Sequence, residues 1–256
     1  MIQLSVNLNK IALMRNSRIG TTPNVLDAAE CVIRAGAYGI TVHPRPDQRH
    51  IRPDDVYALS SLLRDSHSDI EFNIEGNPTA GARPNGYPGF DALIESTRPH
   101  QCTLVPDGDD QLTSDHGWDL TLHADAVTDM ISRYHTWGAR VSLFMDPDEN
   151  QISLAKKVGA DRIELYTGPF AEAVRTYGVD ASQSRDSYRC YQGAAQYATQ
   201  LGMGVNAGHD LDLQNLPLFR GIQEVLEVSI GHALISDALH KGLFNTVREY
   251  SQALKD

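Results

Sequence analysis

Gly39-Ile40-Thr41-Val42-His43-Pro44-Arg45-Pro46-Asp47-Gln48-Arg49-His50-Ile51 opens as a short apolar, β-branched run and then breaks at two prolines. Such a run reads as a buried strand, and proline, with no N–H to give a ladder, ends it near His43. From His43 to His50 the chain packs two imidazoles and two guanidiniums into eight residues. A solvated connector has no reason to carry that density of cationic and proton-transferring groups, so the segment reads as one wall of an active site. A strand followed by an ordinary polar loop is the plain alternative, because histidine at a strand end is often only a hydrogen-bonded neighbour. Repetition along the chain decides between them.

The same event recurs. Gln3-Leu4-Ser5-Val6-Asn7 alternates as a strand does and runs into Asn9-Lys10 and Arg15-Asn16-Ser17-Arg18. Ile70-Glu71-Phe72-Asn73-Ile74-Glu75 ends in a carboxylate ahead of Gly76, and Cys102-Thr103-Leu104-Val105 is closed by Pro106 and a polar loop containing Thr113. After the run Val141-Ser142-Leu143-Phe144-Met145, Arg162-Ile163-Glu164-Leu165-Tyr166 again carries a carboxylate near its end. Val205-Asn206-Ala207 leads into Gly208-His209-Asp210, and Val228-Ser229-Ile230 into Gly231-His232.

Helix signals fill the intervals. Asn24 reads as an N-cap with Gly36 as stop, and Pro53 opens the next helix. A short helix is predicted over 91–96 and longer ones over 125–137, 187–200 and 233–254, with a further start at Asp146, where Pro147 and Glu149 take the first and third helical positions. The Gly/Pro-rich segment 76–89 reads as an ordered lid or an interface loop. Eight strand-helix pairs in 256 residues predict an α/β fold, a (β/α)8 TIM barrel, with residues 1–256 forming one domain with extra short helices. A doubly wound open sheet is the rival, but it would gather its reactive groups at one switch point, whereas here they fall on the first three and last three strands.

A chain of 256 residues that is 41% hydrophobic can bury one large core. Its net charge of −11, without any Lys/Arg run, argues against nucleic acid or an anionic membrane surface as partner, so an anionic ligand must be held by local cations. No apolar run approaches the roughly 18 residues that span a bilayer, and no charged-then-apolar leader is seen, so the expectation is a soluble, cytoplasmic protein. Cys31, Cys102 and Cys190 are odd in number and widely spaced, which suggests reduced packing residues and neither a disulfide framework nor a zinc cluster.

In a parallel barrel every strand's carboxyl end opens on one face, so the polar groups at the strand ends converge there. Glu75 and Glu164 sit in apolar strands, where burial raises a carboxyl pKa toward neutrality and makes the group usable as an acid or base near pH 7. Either one read alone is also a possible ion-pair partner for Arg18 or Arg45. Gly208-His209 and Gly231-His232 fall at the seventh and eighth strands, the usual phosphate corner of this fold, where glycine admits close approach of an anion and a helix start offers free N–H groups. His232 reads equally as a structural histidine at a helix start. A dinucleotide fingerprint at 202–207 is rejected because it leads into a strand, and a Schiff-base lysine is missing from the sixth strand, where Glu164 stands. A metal-dependent barrel hydrolase using His43, Glu75, Glu164, His209 and His232 is the enzymatic alternative, without the close-spaced histidine pairs typical of such sites. A non-catalytic phosphate-binding barrel is the third.

Ser5-Val6-Asn7-Leu8-Asn9-Lys10-Ile11-Ala12 with Arg15-Asn16-Ser17-Arg18, Gly39 through Ile51, Phe72-Asn73-Ile74-Glu75, Leu104-Val105-Pro106 with Thr113, Ile163-Glu164, Val205-Asn206-Ala207-Gly208-His209 and Ile230-Gly231-His232-Ala233 resemble, end to end and in order, the pyridoxine 5′-phosphate synthase family. The resemblance implies a cytoplasmic transferase, assembled as a homo-octamer, that condenses 3-amino-2-oxopropyl phosphate with 1-deoxy-D-xylulose 5-phosphate to pyridoxine 5′-phosphate, phosphate and water, without metal or organic cofactor. By position it implies His43 and Glu75 as proton acceptors, His209 as proton donor and Glu164 as the group that stabilises the transition state. It implies Asn7, Arg18, Gly231 and His232 on the amino-ketone phosphate, and Arg45, His50 and Thr113 on the sugar phosphate. Asn9, Lys10 and Asp210 fall at further substrate-binding positions, where the family pattern has Asp-His and Gly.

Overall fold

Each β-branched run becomes a strand with a partner on either side. In a computed structural model, which describes residues 1–255, eight parallel strands close into a barrel in chain order. They are β1 (Gln3–Asn7), β2 (Gly39–Val42), β3 (Glu71–Gly76), β4 (Gln101–Leu104), β5 (Arg140–Met145), β6 (Arg162–Tyr166), β7 (Gly204–Gly208) and β8 (Val225–Ile230). β1 closes on β8 with Leu4 opposite Val228 and Val6 opposite Ile230, which leaves no edge and excludes the open sheet.

Alternate residues of each strand face opposite sides, and the hydrogen bonds show which side is which. Bonds that skip a strand cross the lumen: Arg140 of β5 donates to Glu71 of β3 at 2.5 Å, Arg162 of β6 to Glu227 of β8 at 3.5 Å, and Asn7 of β1 to Glu75 of β3 at 3.3 Å. The same inward set includes Ser5 and Thr41, 2.7 Å apart, and Thr103, which donates to Asn73 at 3.1 Å. Barrels of this class more often fill this space with branched aliphatics. Here the aliphatics point outward, with Ile40, Val42, Ile74, Leu104, Leu143, Ile163 and Val205 fully buried under the helices. Burial of each such side chain contributes about 1.5–3 kcal/mol, so the hydrophobic core lies between the strands and the helical shell.

That shell comprises α1 (Asn9–Asn16), α2 (Val25–Arg34), α3 (Pro53–Ser66), α4 (Phe90–Thr97), α5 (Leu120–Thr136), α6 (Glu149–Lys157), α7 (Gly168–Tyr177), α8 (Ser182–Gln200), α9 (Leu216–Phe219), α10 (His232–Lys241) and α11 (Leu243–Ala253). Asn24 caps α2, accepting from the N–H groups of Leu26 at 2.7 Å and Asp27 at 3.3 Å, an arrangement worth about 1 kcal/mol. α6 starts two residues later than Asp146-Pro147 suggests. Asp148 is its cap, and Asp146 instead accepts from the Gly117 N–H at 3.1 Å, tying the loop after β4 to the end of β5. α7 starts at Gly168-Pro169, directly after β6, because proline in a first helical turn starts a helix as readily as it ends a strand. The terminal helix is broken at Gly242, whose φ of 79° is left-handed. Cys102 is buried and Cys31 half-buried, but Cys190 is exposed and not a packing residue. Among the described residues no helix is long and apolar enough to cross a membrane.

Candidate active site

The strand ends meet at one mouth, and α1 locks three of them together. Asn9, in the first turn of α1, accepts from the His43 backbone N–H at 2.9 Å and gives its own N–H to Asn7 Oδ1 at 3.0 Å. Asn7 in turn donates to Glu75 Oε2 at 3.3 Å. Further along α1, Arg15 pairs with Asp55, and Asn16 Nδ2 reaches the His50 carbonyl at 2.7 Å, so the loop after β2 is fixed from beneath.

His43 lies between two carboxylates, with Nδ1 3.8 Å from Glu75 and Nε2 4.0 Å from Asp107. Burial, reinforced by the charges of Arg45, His50 and Arg49, pushes its pKa well below the usual imidazole value, so the ring is neutral at pH 7 and free to accept a proton. His50 stands edge-on to it at 6.2 Å, and burial followed by Arg45 and Lys10 takes its pKa down to about 3. The carboxyls move the other way. Burial raises Glu75 well above the ordinary value, and the charges of Glu164 and Asp107 push it further. Burial lifts Glu164 to about 7, against the lowering effects of its Thr103 hydrogen bond and of His209. Gly208 makes room for that carboxylate, since a Cβ there would run into Glu164 Oε1. Deeper in the lumen Glu227 is raised to about 8 by burial and by Glu71.

Arg45, 5% exposed, is clamped by Asp107, 6% exposed, which also accepts from Ser114 Oγ at 2.7 Å. Arg45, Arg49 and Arg83 line a cavity of about 250 Å³ together with His43, Asn77 and their own ion-pair partners Asp107, Asp47 and Asp109, an arginine-bearing recess of the size of a small phosphorylated molecule. The segment 76–89 packs on this recess, with Gln48 Nε2 donating to the Asn85 carbonyl and Asn85 Nδ2 to the Pro46 carbonyl, each at 2.8 Å. Removing one partner of a buried ion pair leaves the other charge uncompensated. Asp107→Ala is therefore expected to lower unfolding free energy by about 3 kcal/mol in denaturant titrations, and an unchanged midpoint would show that Arg45 finds another partner.

On the opposite rim His209 Nε2 is 2.8 Å from Thr113 Oγ1 and Nδ1 is 2.9 Å from Asp210 Oδ2, with the Tyr166 ring edge-on at 5.1 Å. Gly231 packs on Asn7, where a Cβ would come within 3.0 Å of the Asn7 side chain. His232 is exposed at the start of α10, Lys10 is half-buried on α1, and Arg18 is exposed beyond α1. Among the described residues no hydrogen bond or ion pair ties the Arg18 guanidinium to the mouth, and no group of three or more His, Cys, Asp or Glu could hold a metal ion. Asp107 belongs to the site although the sequence marks it only as the start of a polar loop; a carboxylate directly after a strand-closing proline is the signal that points to it. Arg162, Glu71 and Glu227 join the lumen behind the mouth with no local signal to mark them.

A (β/α)8 barrel whose mouth sets two proton-holding carboxyls and two histidines beside an arginine-lined recess is an acid-base enzyme for phosphorylated small molecules in its construction. The model of the pyridoxal phosphate biosynthesis protein PdxJ family matches residues 4–256, and the chain belongs to that family. It is 57% identical over 248 residues to the pyridoxine 5′-phosphate synthase of Xanthomonas campestris pv. campestris (strain B100), covering 96% of this chain and 94% of the relative. It is 53% identical over 253 residues to the enzyme of that name from Xylella fastidiosa (strain M12), covering 98% and 94%. Among solved structures, phosphoribosyl anthranilate isomerase from Thermus thermophilus superposes with a TM-score of 0.56 over 99% of this chain and 98% of that one, at 11% identity, a likeness of fold alone.

Proposed function

We propose that the chain is a pyridoxine 5′-phosphate synthase that joins 3-amino-2-oxopropyl phosphate to 1-deoxy-D-xylulose 5-phosphate and releases phosphate and water. The observation that carries the reading is the ring of proton-holding groups at one barrel mouth, with His43 neutral and Glu75 and Glu164 holding protons into the neutral range. Forming an imine, losing water and phosphate and closing an aromatic ring requires protons to be taken and returned at several fixed points. His43, held by Asn9 through its backbone, takes a proton; Glu75, bonded to Asn7, gives up the proton it holds and then accepts one in its place. Glu164, poised near pH 7 beside His209, offsets charge that develops in the ring-forming steps, and His209 delivers a proton to a departing oxygen. Arg45 with His50 and Thr113 serves the sugar phosphate; Asn7, Arg18, Gly231 and His232 serve the amino-ketone phosphate, with Asn9, Lys10 and Asp210 beside them. The same reading makes the protein a cytoplasmic homo-octamer that needs no metal or organic cofactor.

The test mixes chelator-treated protein with both substrates and follows the product chromophore together with phosphate release. Equal yields of the two support the reading, and the absence of both overturns it. Arg45→Ala is expected to raise KM for the sugar phosphate about tenfold or more while kcat falls less, because a phosphate anchor binds ground and transition states alike. A loss confined to kcat would remove Arg45 from that role.

A further inference from the structure

The turn after β7 is held in a conformation that side chains rarely adopt. His209 has a φ of 85° and Asp210 a φ of 59°, both in the left-handed region where glycine would sit without strain. Neighbours fix this turn: Thr167 Oγ1 donates to the Gly208 and His209 carbonyls at 2.7 and 2.5 Å, and Asn215 Nδ2 to the Asp210 carbonyl at 3.0 Å. Backbone strain that the surroundings over-determine in this way gathers at functional sites. Its result here is to fold the Asp210 carboxylate back onto the ring of its neighbour, 2.9 Å from Nδ1, while Nε2 faces Thr113 and the mouth.

We propose that Asp210 is a positioning residue for His209: its carboxylate holds the Nδ1 proton, fixes the ring's tautomer and leaves Nε2 as the atom that delivers the transferred proton. This rests on the reading of His209 as proton donor, and it gives Asp210 a part other than direct contact with substrate. In the step, the imidazolium breaks its Nε2–H bond to protonate a departing oxygen and becomes neutral imidazole, with Nδ1–H still on Asp210. No other bond of the residue changes. The carboxylate is ionised at neutral pH, because the His209 hydrogen bond holds its pKa below the usual value. Other charged and titratable groups bear on the pair from every side. Glu164 of β6 acts on His209, and His232 of α10 and Arg175 of α7 act on Asp210. The phenol of Tyr166, itself near Asp115 and Asp146, covers the ring edge.

A carboxylate accepting from Nδ1 stabilises the protonated ring that donates, and an amide in its place does so less. Asp210→Asn is expected to move the alkaline limb of the kcat profile down by about half to one pH unit and to lower kcat about tenfold, with KM for both substrates within about twofold. Nitrogen-15 spectra of histidine-labelled protein, assigned with His209→Asn, should show the Nδ1–H tautomer in wild type and a mixture in Asp210→Asn. If the Asn variant misfolds, Asp210→Gly, which suits the backbone, gives the same readouts. An unmoved limb with an unchanged tautomer overturns the proposal. Because the spectra need no turnover, an inactive wild type that still shows the Nδ1–H tautomer would sink the assigned reaction and leave the Asp210–His209 pairing standing.

Discussion

Glu75→Gln should lower kcat by roughly 10²–10⁴ and at the same time make the folded protein more stable above neutral pH. The amide keeps the volume of the carboxyl and can still accept from Asn7, so the lock between β1 and β3 survives. What it loses is a proton that can be given and retaken. The stability change follows from the raised pKa. The folded state holds a proton that the unfolded chain releases near 4.5, so this contribution is present in full below that pH and is lost as pH rises through the folded value. Glutamine has no such loss. Thermal unfolding below pH 4.5 should therefore be similar in the two proteins, while at pH 8 the variant should be the more stable. Activity and stability moving in opposite directions separates a catalytic group from a structural one. Equal turnover, or a variant destabilised at every pH, would end the assignment.

The barrel was readable because most of its strands announce themselves twice, by an apolar run and by the proline or glycine that soon follows it. Val42-His43-Pro44 and Val105-Pro106 show both signals, and the observed strands end within a residue of them. Which side of a strand faces the lumen was not readable in the same way. Both faces of a barrel strand are buried, so Ile40-Thr41-Val42 carries no mark of which side is in. Only closure, with Arg140 reaching Glu71 past β4 and Asn7 reaching Glu75 past β2, reveals a polar interior behind the mouth. The clamp of Asp107 on Arg45 spans 62 positions and depends on how the loops after β2 and β4 lean together, which no local pattern encodes. α7 was hidden for a different reason. Gly168-Pro169 is a stop signal after a strand and a start signal before a helix, and only the apolar spacing of Phe170, Ala171 and Val174, all buried, resolves it.

His209→Asn should cost a further roughly 10²–10⁴ in kcat, by a route that leaves folding untouched. Asparagine tolerates positive φ better than most residues, so the 85° backbone at this position is no harder for the variant to hold than for the histidine. Its amide takes the place of Nδ1, within reach of Asp210, and gives up only the Nε2 contact with Thr113. Substrate binding therefore changes little, and KM for each substrate should stay within a few fold. The amide has no proton to donate near pH 7, so the alkaline limb that Asp210→Asn shifts should vanish altogether in His209→Asn, leaving a flat residual rate across that range. A surviving limb at the wild-type position would mean that another group, Glu164 being the one in electrostatic contact with the ring, delivers that proton. The two substitutions thus act on one hydrogen-bonded unit, and combining them should cost no more than His209→Asn alone, since with the imidazole gone Asp210 has nothing left to position.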